Sequence, residues 1–344
     1  MVSHALVVGY GSVGRRHTQV LAEIAPTLVI ADTNATARAR GAHDYPAATV
    51  IADLKDLDAG GFPWAASVAV IATWGPSHAA IFHALADRGV GRVMCEKPLA
   101  ASVADANGIV DRSIREGIVL GVNHTLRYAG LADALARYAS DTELGEPVAV
   151  VVDGGANCLL TNGLHWIDFA CHMFRGSPTR VVSTARGEHG NPRSDDLHLY
   201  GGSAVWTFEG DREAIITFSN RSSIDSMTRV YYRNAVAETD LDLTTRIRRR
   251  DMRGVREAPA VTRTGPAVEE LYRGRLPGVR ALREALKPAL LDVVAGRAPG
   301  CPASVGAAAV NACVGALIAS TTGRAIDLPI DPVSEWGLKT WPIS

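Results

Sequence analysis

Apolar residues in the first third of the chain occur in short unbroken runs, and amphipathic stretches with helical spacing separate these runs. The predicted strands that contain these runs are Ala5–Val8, Thr27–Ala31, Thr49–Ile51, Ser67–Thr73, Arg92–Lys97 and Ile118–Val122. Continuous apolar runs rich in Val and Ile are typical of strands buried on both faces of a sheet. Their alternation with helices predicts a doubly wound parallel sheet, an α/β domain over residues 1–122.

The pattern changes after residue 122. An amphipathic helix over Leu126–Ala139, a strand at Val148–Asp153 and a helix over Leu164–Phe174 come first. From Arg180 to about Arg250, strand follows strand with turns between them, and no helix long enough for a parallel crossover intervenes. Two helices, over Pro277–Ala295 and Ser304–Thr321, are predicted to follow. Residues 123–344 are therefore expected to form an α+β domain on a large, mainly antiparallel sheet.

The first apolar run leads into a glycine-rich turn. Its residues are Gly9, Tyr10, Gly11, Ser12, Val13 and Gly14, which give the pattern G-x-G-x-x-G before a helical stripe. In such a turn the first glycine permits the tight bend, the second lets a pyrophosphate approach the backbone, and the third lets the helix pack on the strand. The interpretation is a dinucleotide site, with an ordinary βαβ turn as the alternative. His17 is expected to pack or bond under this turn.

The acidic residue Asp32 bears on the choice of cofactor. It ends the second apolar run, eighteen residues after Gly14, where a carboxylate can bind the adenosine ribose. A carboxylate hydrogen-bonds the 2′-OH of NAD but repels the 2′-phosphate of NADP. Thr33 and Asn34 add no positive charge, and Arg38 is a helical turn or more away. The sequence therefore predicts NAD, with NADP less favoured.

Composition and charge narrow the class of protein. The chain has 344 residues, enough for two domains, and a formal net charge of −1, which gives no indication of a nucleic-acid or membrane partner. The basic run Arg246–Arg250, with Arg253 beyond it, alternates with Thr244, Ile247 and Met252, which favours a solvated strand face or a local anion contact over a nucleic-acid patch. Five scattered cysteines suit a reducing compartment, and the N-terminus goes directly into a strand. The expectation is a cytoplasmic protein with a small-molecule substrate.

Several motifs stand in one order along almost the whole chain. They are Gly9–His17, Ala72-Thr73 with His78 five residues after Thr73, Cys95-Glu-Lys-Pro98, Gly163-Leu-His-Trp-Ile-Asp168 and the closing Gly323–Pro329. Together these motifs resemble the Gfo/Idh/MocA oxidoreductases, which are NAD(P)-dependent enzymes of sugars and cyclitols. The resemblance implies a Rossmann domain followed by an α+β domain with a large open sheet, in a homodimer or homotetramer that acts on a polyol or ketosugar.

The resemblance also implies roles for individual residues. Family members often carry proline where this chain has Trp74, so that the wall beside the nicotinamide would be bulkier here. The implied contacts are Thr73, Trp74 and His78 on the nicotinamide side, Glu96 and Lys97 at the nicotinamide ribose and substrate, Asn123 at the cofactor, and Arg127, Thr161 and His165 with Lys97 at the substrate. The Lys97–Pro98 peptide is expected to be cis.

Oxidation of a secondary alcohol needs a hydride acceptor and a base for the hydroxyl proton. An imidazole, with a reference pKa of ~6.5, can take that proton near neutrality, whereas a lysine amine at ~10.4 is the better hydrogen-bond donor. His165 is therefore predicted to be the acid/base and Lys97 to orient the oxygen, and the reverse assignment stays open. Thr161 stands where the family usually has aspartate, which removes a charge from the usual arrangement.

Helical spacing separates His165 from the apolar stripe Leu164, Ile167, Cys171 and Phe174 and predicts that Cys171 lies in the core. Asp168 could fix the His165 tautomer or support the loop. A zinc site among these residues is disfavoured because Cys171 points away from the histidines and no C-x-x-C pair occurs. Two other functions stay open: a catalytically silent sensor of dinucleotide or sugar, and a reductase of a non-sugar substrate.

Overall fold

The computed structural model of the protein describes residues 2–155, 158–191, 194–219, 222–250 and 268–343. The chain forms two compact units. The first unit comprises Met1–Tyr128, Arg283–Val314 and Ile330–Ser344, and the second comprises Ala129–Leu282 and Gly315–Pro329. Arg253, part of the basic run considered above, lies outside the described residues.

The first unit is built on six parallel strands. The strands are β1 (His4–Val8), β2 (Thr27–Ala31), β3 (Thr49–Ile51), β4 (Ser67–Ile71), β5 (Arg92–Cys95) and β6 (Val119–Val122). The helices are α1 (Ser12–Ala22), α2 (Ala35–Asp44), α3 (Lys55–Asp58), α4 (Gly75–Asp87), α5 (Val103–Arg115) and α6 (Thr125–Ala129), with a 3₁₀ turn at Trp64–Ala66. The strand order β3-β2-β1-β4-β5-β6 is that of a Rossmann fold, which confirms the predicted sheet.

Later parts of the chain complete the first unit. Helix α9 (Leu286–Val294) packs on β5 and β6, where Val293 and Pro299 lie against Gly121. The predicted helix over Pro277–Ala295 begins only at Leu286, after a 3₁₀ turn at Leu282–Glu284. Helix α10 (Ala303–Thr322), of which residues 303–314 belong to the first unit and the remainder to the second, and the short helix α11 (Glu335–Leu338) follow. By length and composition α10 could cross a membrane, but most of it is buried within the protein, as in the core helix of a globular domain.

The second unit contains α7 (Leu131–Asp141), α8 (Gly163–Phe174) and a large sheet. Its strands are β7 (Pro147–Gly155), β8 (Arg180–Ser183), β9 (Arg186–Asn191), β10 (Ser194–Phe208), β11 (Arg212–Ser219), β12 (Met227–Tyr232), β13 (Ala235–Thr239), β14 (Thr245–Arg250), β15 (Val268–Gly274) and β16 (Ile326–Asp327). The predicted single helix over Leu126–Ala139 is in fact two helices, because Gly130 between α6 and α7 adopts a left-handed φ of +79°.

The strands of the second unit lie in the order β15-β14-β13-β12-β7-β11-β10-β8-β16, and β9 pairs with β10. All neighbours are antiparallel except β7 and β11, so the predicted mainly antiparallel sheet is confirmed. The basic run forms β14, where Arg246 pairs with Glu270, Arg248 with Glu238 and Arg249 with Glu269. These ion pairs fit the interpretation of the run as a solvated strand face.

Candidate active site

The predicted cofactor residues of the first unit follow the carboxyl ends of five parallel strands. The glycine turn follows β1, Asp32 follows β2, Thr73 follows β4, Glu96 follows β5 and Asn123 follows β6. Parallel strands bring their carboxyl ends to one edge of the sheet, and ligands bind at that edge in open α/β folds. Residues that are far apart in the sequence therefore lie at the same edge of the sheet.

The three glycines meet three different steric conditions. A Cβ on Gly9, whose φ is +96°, would lie 2.7 Å from the carbonyl oxygen of Ala72, and a Cβ on Gly14 would lie 1.9 Å from the carbonyl oxygen of Gly9. A Cβ on Gly11 would meet no described atom within 4 Å. Gly11 also begins α1 without a side-chain cap, in contrast to Asn34 at the start of α2. The open space and the uncapped helix N-terminus suit a pyrophosphate.

Asp32 is held in place by the backbone. Its Oδ2 accepts the Tyr10 N–H at 2.6 Å, and its Oδ1 accepts the Asn34 N–H at 2.8 Å. Contrary to the sequence-based expectation, Arg38 lies at this position, where its Nη1 donates to the carbonyl oxygens of Asp32 and Thr33, both at 2.9 Å. The sequence separation did not indicate this contact, because the long Arg38 side chain extends back over the N-terminus of α2. A carboxylate and a guanidinium thus lie at the end of β2.

The loop after β4 packs against the loop that carries Lys97. The Thr73 hydroxyl lies 2.7 Å from that of Ser77, and Trp74 is 37% exposed. His78 is fully buried, and its Nδ1 donates to the Pro98 carbonyl oxygen at 2.8 Å. Burial lowers the pKa of His78, which favours a neutral ring. His78 therefore supports the loop after Lys97, and its predicted place beside the nicotinamide stays a prediction.

Glu96 is a buried carboxylate with two side-chain partners. Its Oε1 lies 2.6 Å from His17 Nε2 and accepts the Asn123 amide at 2.7 Å. Burial raises the pKa of this carboxyl, but the hydrogen bond and charge of His17, the amide of Asn123 and the charge of Lys97 together lower it to about 2. Glu96 is therefore ionised, and because a carboxylate can only accept, His17 Nε2 is the donor. The expectation that His17 bonds beneath the glycine turn is met by this contact.

Lys97 is half-buried directly after Glu96, and the Lys97–Pro98 peptide is cis, as the resemblance implies. Arg127, also half-buried, lies on α6, where its N–H donates to the His124 carbonyl oxygen. Both residues belong to the first unit, as do all the predicted cofactor contacts. Their roles toward substrate stay predictions.

Thr161 and His165 lie in the second unit, at the start of α8. Thr161 is in a turn in which the N–H groups of Asn162 and Gly163 donate to the Cys158 carbonyl oxygen, and His165 is half-buried on the first turn of the helix. The prediction that Cys171 lies in the core is wrong, since Cys171 is only half-buried. Asp168 instead is 1% exposed, and His172 forms an ion pair with Asp133 of α7 at 3.0 Å.

All five cysteines are described, and none of them forms a disulfide bond. Within the described ranges, no three His, Cys, Asp or Glu side chains come together as metal ligands would. The predicted site in the first unit therefore consists of the glycine turn, Asp32, the loop after β4 and the Glu96–Lys97 segment.

Sequence reasoning did not find the link between His17 and Glu96. The two residues are 79 positions apart, on α1 and after β5. No periodicity connects them, and each belongs to a motif whose local pattern has another explanation. A buried histidine just after a glycine turn is nevertheless a signal, because a fully buried ring needs a polar partner.

Comparison with known proteins gives a consistent result. Residues 3–124 match the family model GFO_IDH_MocA, described as an oxidoreductase family with an NAD-binding Rossmann fold. D-apiose dehydrogenase from Paraburkholderia graminis is 31% identical over 129 residues, which cover 33% of this chain and 34% of that protein. The chain therefore matches about a third of the length of this curated relative.

Solved structures extend the likeness to the whole fold. UDP-N-acetylglucosamine 3-dehydrogenase from Acidithiobacillus ferrooxidans has a TM-score of 0.71 at 18% identity, over 93% of this chain and 97% of that one. Levoglucosan dehydrogenase in complex with NADH has a TM-score of 0.72 at 16% identity, over 96% of this chain and 100% of that one. The family model thus agrees with the resemblance over residues 3–124, which match the NAD-binding Rossmann domain of the Gfo/Idh/MocA oxidoreductases, and the solved structures show that the fold is shared over the rest of the chain.

Proposed function

We propose that the protein is a dehydrogenase, or a ketoreductase in the reverse direction, that uses NAD and acts on a secondary alcohol of a sugar, aminosugar or cyclitol. The observation that carries the proposal is the edge of the parallel sheet, where an open glycine turn, an oriented Asp32 and the anchored Glu96–Lys97 segment occur together. The relatives that support the substrate class are dehydrogenases of apiose, levoglucosan and UDP-N-acetylglucosamine.

The preference for NAD follows from Asp32. Its two oxygens are oriented by the N–H groups of Tyr10 and Asn34, and they keep the capacity to accept hydrogen bonds from ribose hydroxyls. A negative charge fixed there repels a 2′-phosphate. The Gly11 backbone at the start of α1 would hold the pyrophosphate, and Thr73, Glu96 and Asn123 would line the nicotinamide end.

In the oxidation direction, bound NAD⁺ supplies the acceptor for the hydride that leaves the carbinol carbon. The hydroxyl proton goes to a base of the protein, and the C–O bond becomes a carbonyl. We assign the base to His165 and the hydrogen bond to the reacting oxygen to Lys97. The reverse assignment requires a neutral Lys97, which the neighbouring carboxylate of Glu96 disfavours.

The direct test is a screen for NADH formation with polyols, aminosugars and cyclitols, together with a screen for NADH consumption with ketosugars. Turnover of one of these classes, with NAD used in preference to NADP, supports the proposal. Binding of NADH without turnover of any of them would indicate a sensor, and turnover of only a non-sugar carbonyl or alkene would indicate the other alternative.

The resemblance implies a homodimer or homotetramer, and the sequence pattern and composition predict domains over residues 1–122 and 123–344 and a cytoplasmic location; we retain all three as proposals. Light scattering coupled to gel filtration measures the assembly. A monomer at micromolar concentration would contradict the first of them.

A matched pair of glycine variants tests the cofactor site. Gly11→Ala should leave the free energy of unfolding within ~0.5 kcal/mol of the wild type, because the added Cβ meets no described atom within 4 Å. It should weaken NADH binding by at least ~10-fold, since the methyl group lies where the pyrophosphate approaches.

Gly14→Ala should instead destabilise the fold itself by ~1–3 kcal/mol or more, because its Cβ would lie 1.9 Å from the Gly9 carbonyl oxygen. Thermal unfolding and fluorescence titration with NADH measure the two effects. Unchanged NADH affinity in Gly11→Ala would contradict the assignment of this turn to pyrophosphate.

The pH dependence tests His165 and Thr161. The profile of kcat/KM for oxidation should rise with one group near neutrality, and His165→Ala should lose that limb with a ~10²–10⁴-fold fall in rate. Thr161→Asp should move the limb to higher pH, because a carboxylate favours the protonated form of a neighbouring base. Thr161→Asn is the control, because asparagine has the shape of aspartate without its charge. Retention of the limb in His165→Ala would show that another group is the base.

A further inference from the structure

The carboxylate of Glu96 depends on residues that lie far from it in the sequence. His17 is fully buried on α1, six positions after Gly11, and Glu96 is 6% exposed. Within the described residues the second ring nitrogen of His17, Nδ1, makes no hydrogen bond. The contact between Nε2 and Glu96 is thus the polar contact that accounts for a buried imidazole at this position.

Removing His17 would change the charge state of Glu96 in a definite direction. Burial raises the pKa of the carboxyl, and the largest opposing contribution is the hydrogen bond from His17, followed by its charge. Asn123 and Lys97 contribute less. Without His17 the cost of burial remains and its main compensation is lost, so the pKa of Glu96 rises toward the pH range in which enzymes work.

The charge on Glu96 matters because Lys97 is the next residue. A carboxylate beside an ammonium favours the charged form of each, and Lys97 lowers the pKa of Glu96 in accordance with this. A neutral Glu96 would also be able to rotate its carboxyl group and donate a proton, which changes the hydrogen bond with Asn123. The charge state of Glu96 therefore contributes to the electrostatic potential at Lys97.

We propose that His17 is a positioning residue of this site, which keeps the Glu96 carboxylate ionised and fixed beside Lys97 without itself touching substrate or cofactor. The inference rests on the proposed function, since the charge at Lys97 affects a rate only if alcohol and nicotinamide meet there. Helix α1 would then have two roles in the site. Gly11 at its start would bind the pyrophosphate, and His17 further along would hold the Glu96 carboxylate.

Other groups that face Glu96 contribute to its titration. They are His17 from α1, His78 from α4, Cys95 and Lys97 from its own segment, and the uncharged amide of Asn123 after β6. Burial lowers the pKa of His78 and raises the pKa of the Cys95 thiol, so both are neutral near pH 7. Besides Asn123, His17 and Lys97 are the partners that lower the pKa of Glu96, so their removal should affect its charge.

The test compares wild type, His17→Gln and His17→Leu. Gln keeps a donor for Oε1 but has no charge, whereas Leu has neither. His43→Leu, at an exposed histidine that pairs with Asp44, is the control. The readout is the ¹³C resonance of the Glu96 carboxyl in protein labelled at glutamate Cδ, assigned by its loss in Glu96→Gln and followed with pH in the absence of cofactor.

We expect the wild-type and His43→Leu resonances to stay in the ionised position from neutral pH down to ~pH 4. In His17→Leu the resonance should titrate at a pH at least one unit higher, with His17→Gln between the two. Because the carboxylate is lost as pH falls through the raised pKa, kcat/KM of the variants relative to wild type should fall by at least tenfold on the acid side and recover toward alkaline pH.

A Glu96 resonance that titrates as in the wild type in every folded His17 variant overturns the proposal, and so does a loss of kcat/KM that is equal at every pH. If His17→Leu does not fold, His17→Gln decides by the same two criteria. If no alcohol is oxidised at all, the proposed function fails, while the NMR titration still decides whether His17 keeps Glu96 ionised.

Discussion

Lys97→Ala is expected to lower kcat by ~10²–10⁴-fold, the range for loss of a group that transfers or orients a proton. NADH binding should change by less than about threefold, or ~0.7 kcal/mol. The reason is that the carboxylate of Glu96 is held mainly by His17 and Asn123, and the charge of Lys97 contributes less. The cofactor pocket should therefore survive the substitution.

Fluorescence titration with NADH and steady-state kinetics measure the two quantities. Lys287→Ala is the matched control, because Lys287 is a half-exposed lysine of the same unit that pairs with Glu23. Lys97→Arg keeps the charge with a different shape and should recover part of the rate if the residue orients the oxygen. Turnover equal to wild type in Lys97→Ala would exclude this residue from the chemistry.

Asp32→Ala should weaken NAD binding by ~10–100-fold, because hydrogen bonds from ribose hydroxyls to a charged group are lost. The discrimination against NADP should fall at the same time, since the repelling charge is gone. Arg38 is expected to contribute to this gain in NADP affinity. Its guanidinium already lies against the carbonyl oxygens of Asp32 and Thr33, where it could pair with a 2′-phosphate.

The double variant Asp32→Ala/Arg38→Ala should lose the gained affinity for NADP. Asp292→Ala, which removes a carboxylate paired with Arg297 in the same unit, is the control for a general change in charge. The kcat/KM values for both cofactors measure the outcome. A wild-type enzyme that prefers NADP by tenfold or more, ~1.4 kcal/mol, would contradict the assignment of Asp32.

Much of the first unit could be predicted because its signals are local. A strand, a glycine turn and a helix lie within ~30 residues. The glycine pattern predicts positions with no room for a side chain, and the structure shows this at Gly9 and Gly14. The apolar runs located the strands because both faces of a parallel sheet are covered. The large antiparallel sheet was predictable from the absence of crossover helices.

Features that depend on surroundings were not predictable. Helix α8 is buried on almost all sides, so its apolar stripe could not distinguish the half-buried Cys171 from the buried Asp168. The apolar spacing predicted one continuous helix across Gly130, where the structure has two. A glycine is tolerated inside a helix, and the spacing alone does not reveal its φ. The contact of His17 with Glu96 joins motifs far apart in sequence, and no local pattern encodes it.

The order in which the chain is made has a consequence for the first unit. Strands β1 to β6 are complete after residue 122, but Val293 and Pro299, which lie against Gly121, come much later. During synthesis the N-terminal part leaves the ribosome first, so the side of β5 and β6 that α9 covers stays open while the second unit is translated. A chain that stops after Tyr128 would keep this apolar side exposed, and it should require chaperones or aggregate rather than accumulate as a free dinucleotide-binding domain.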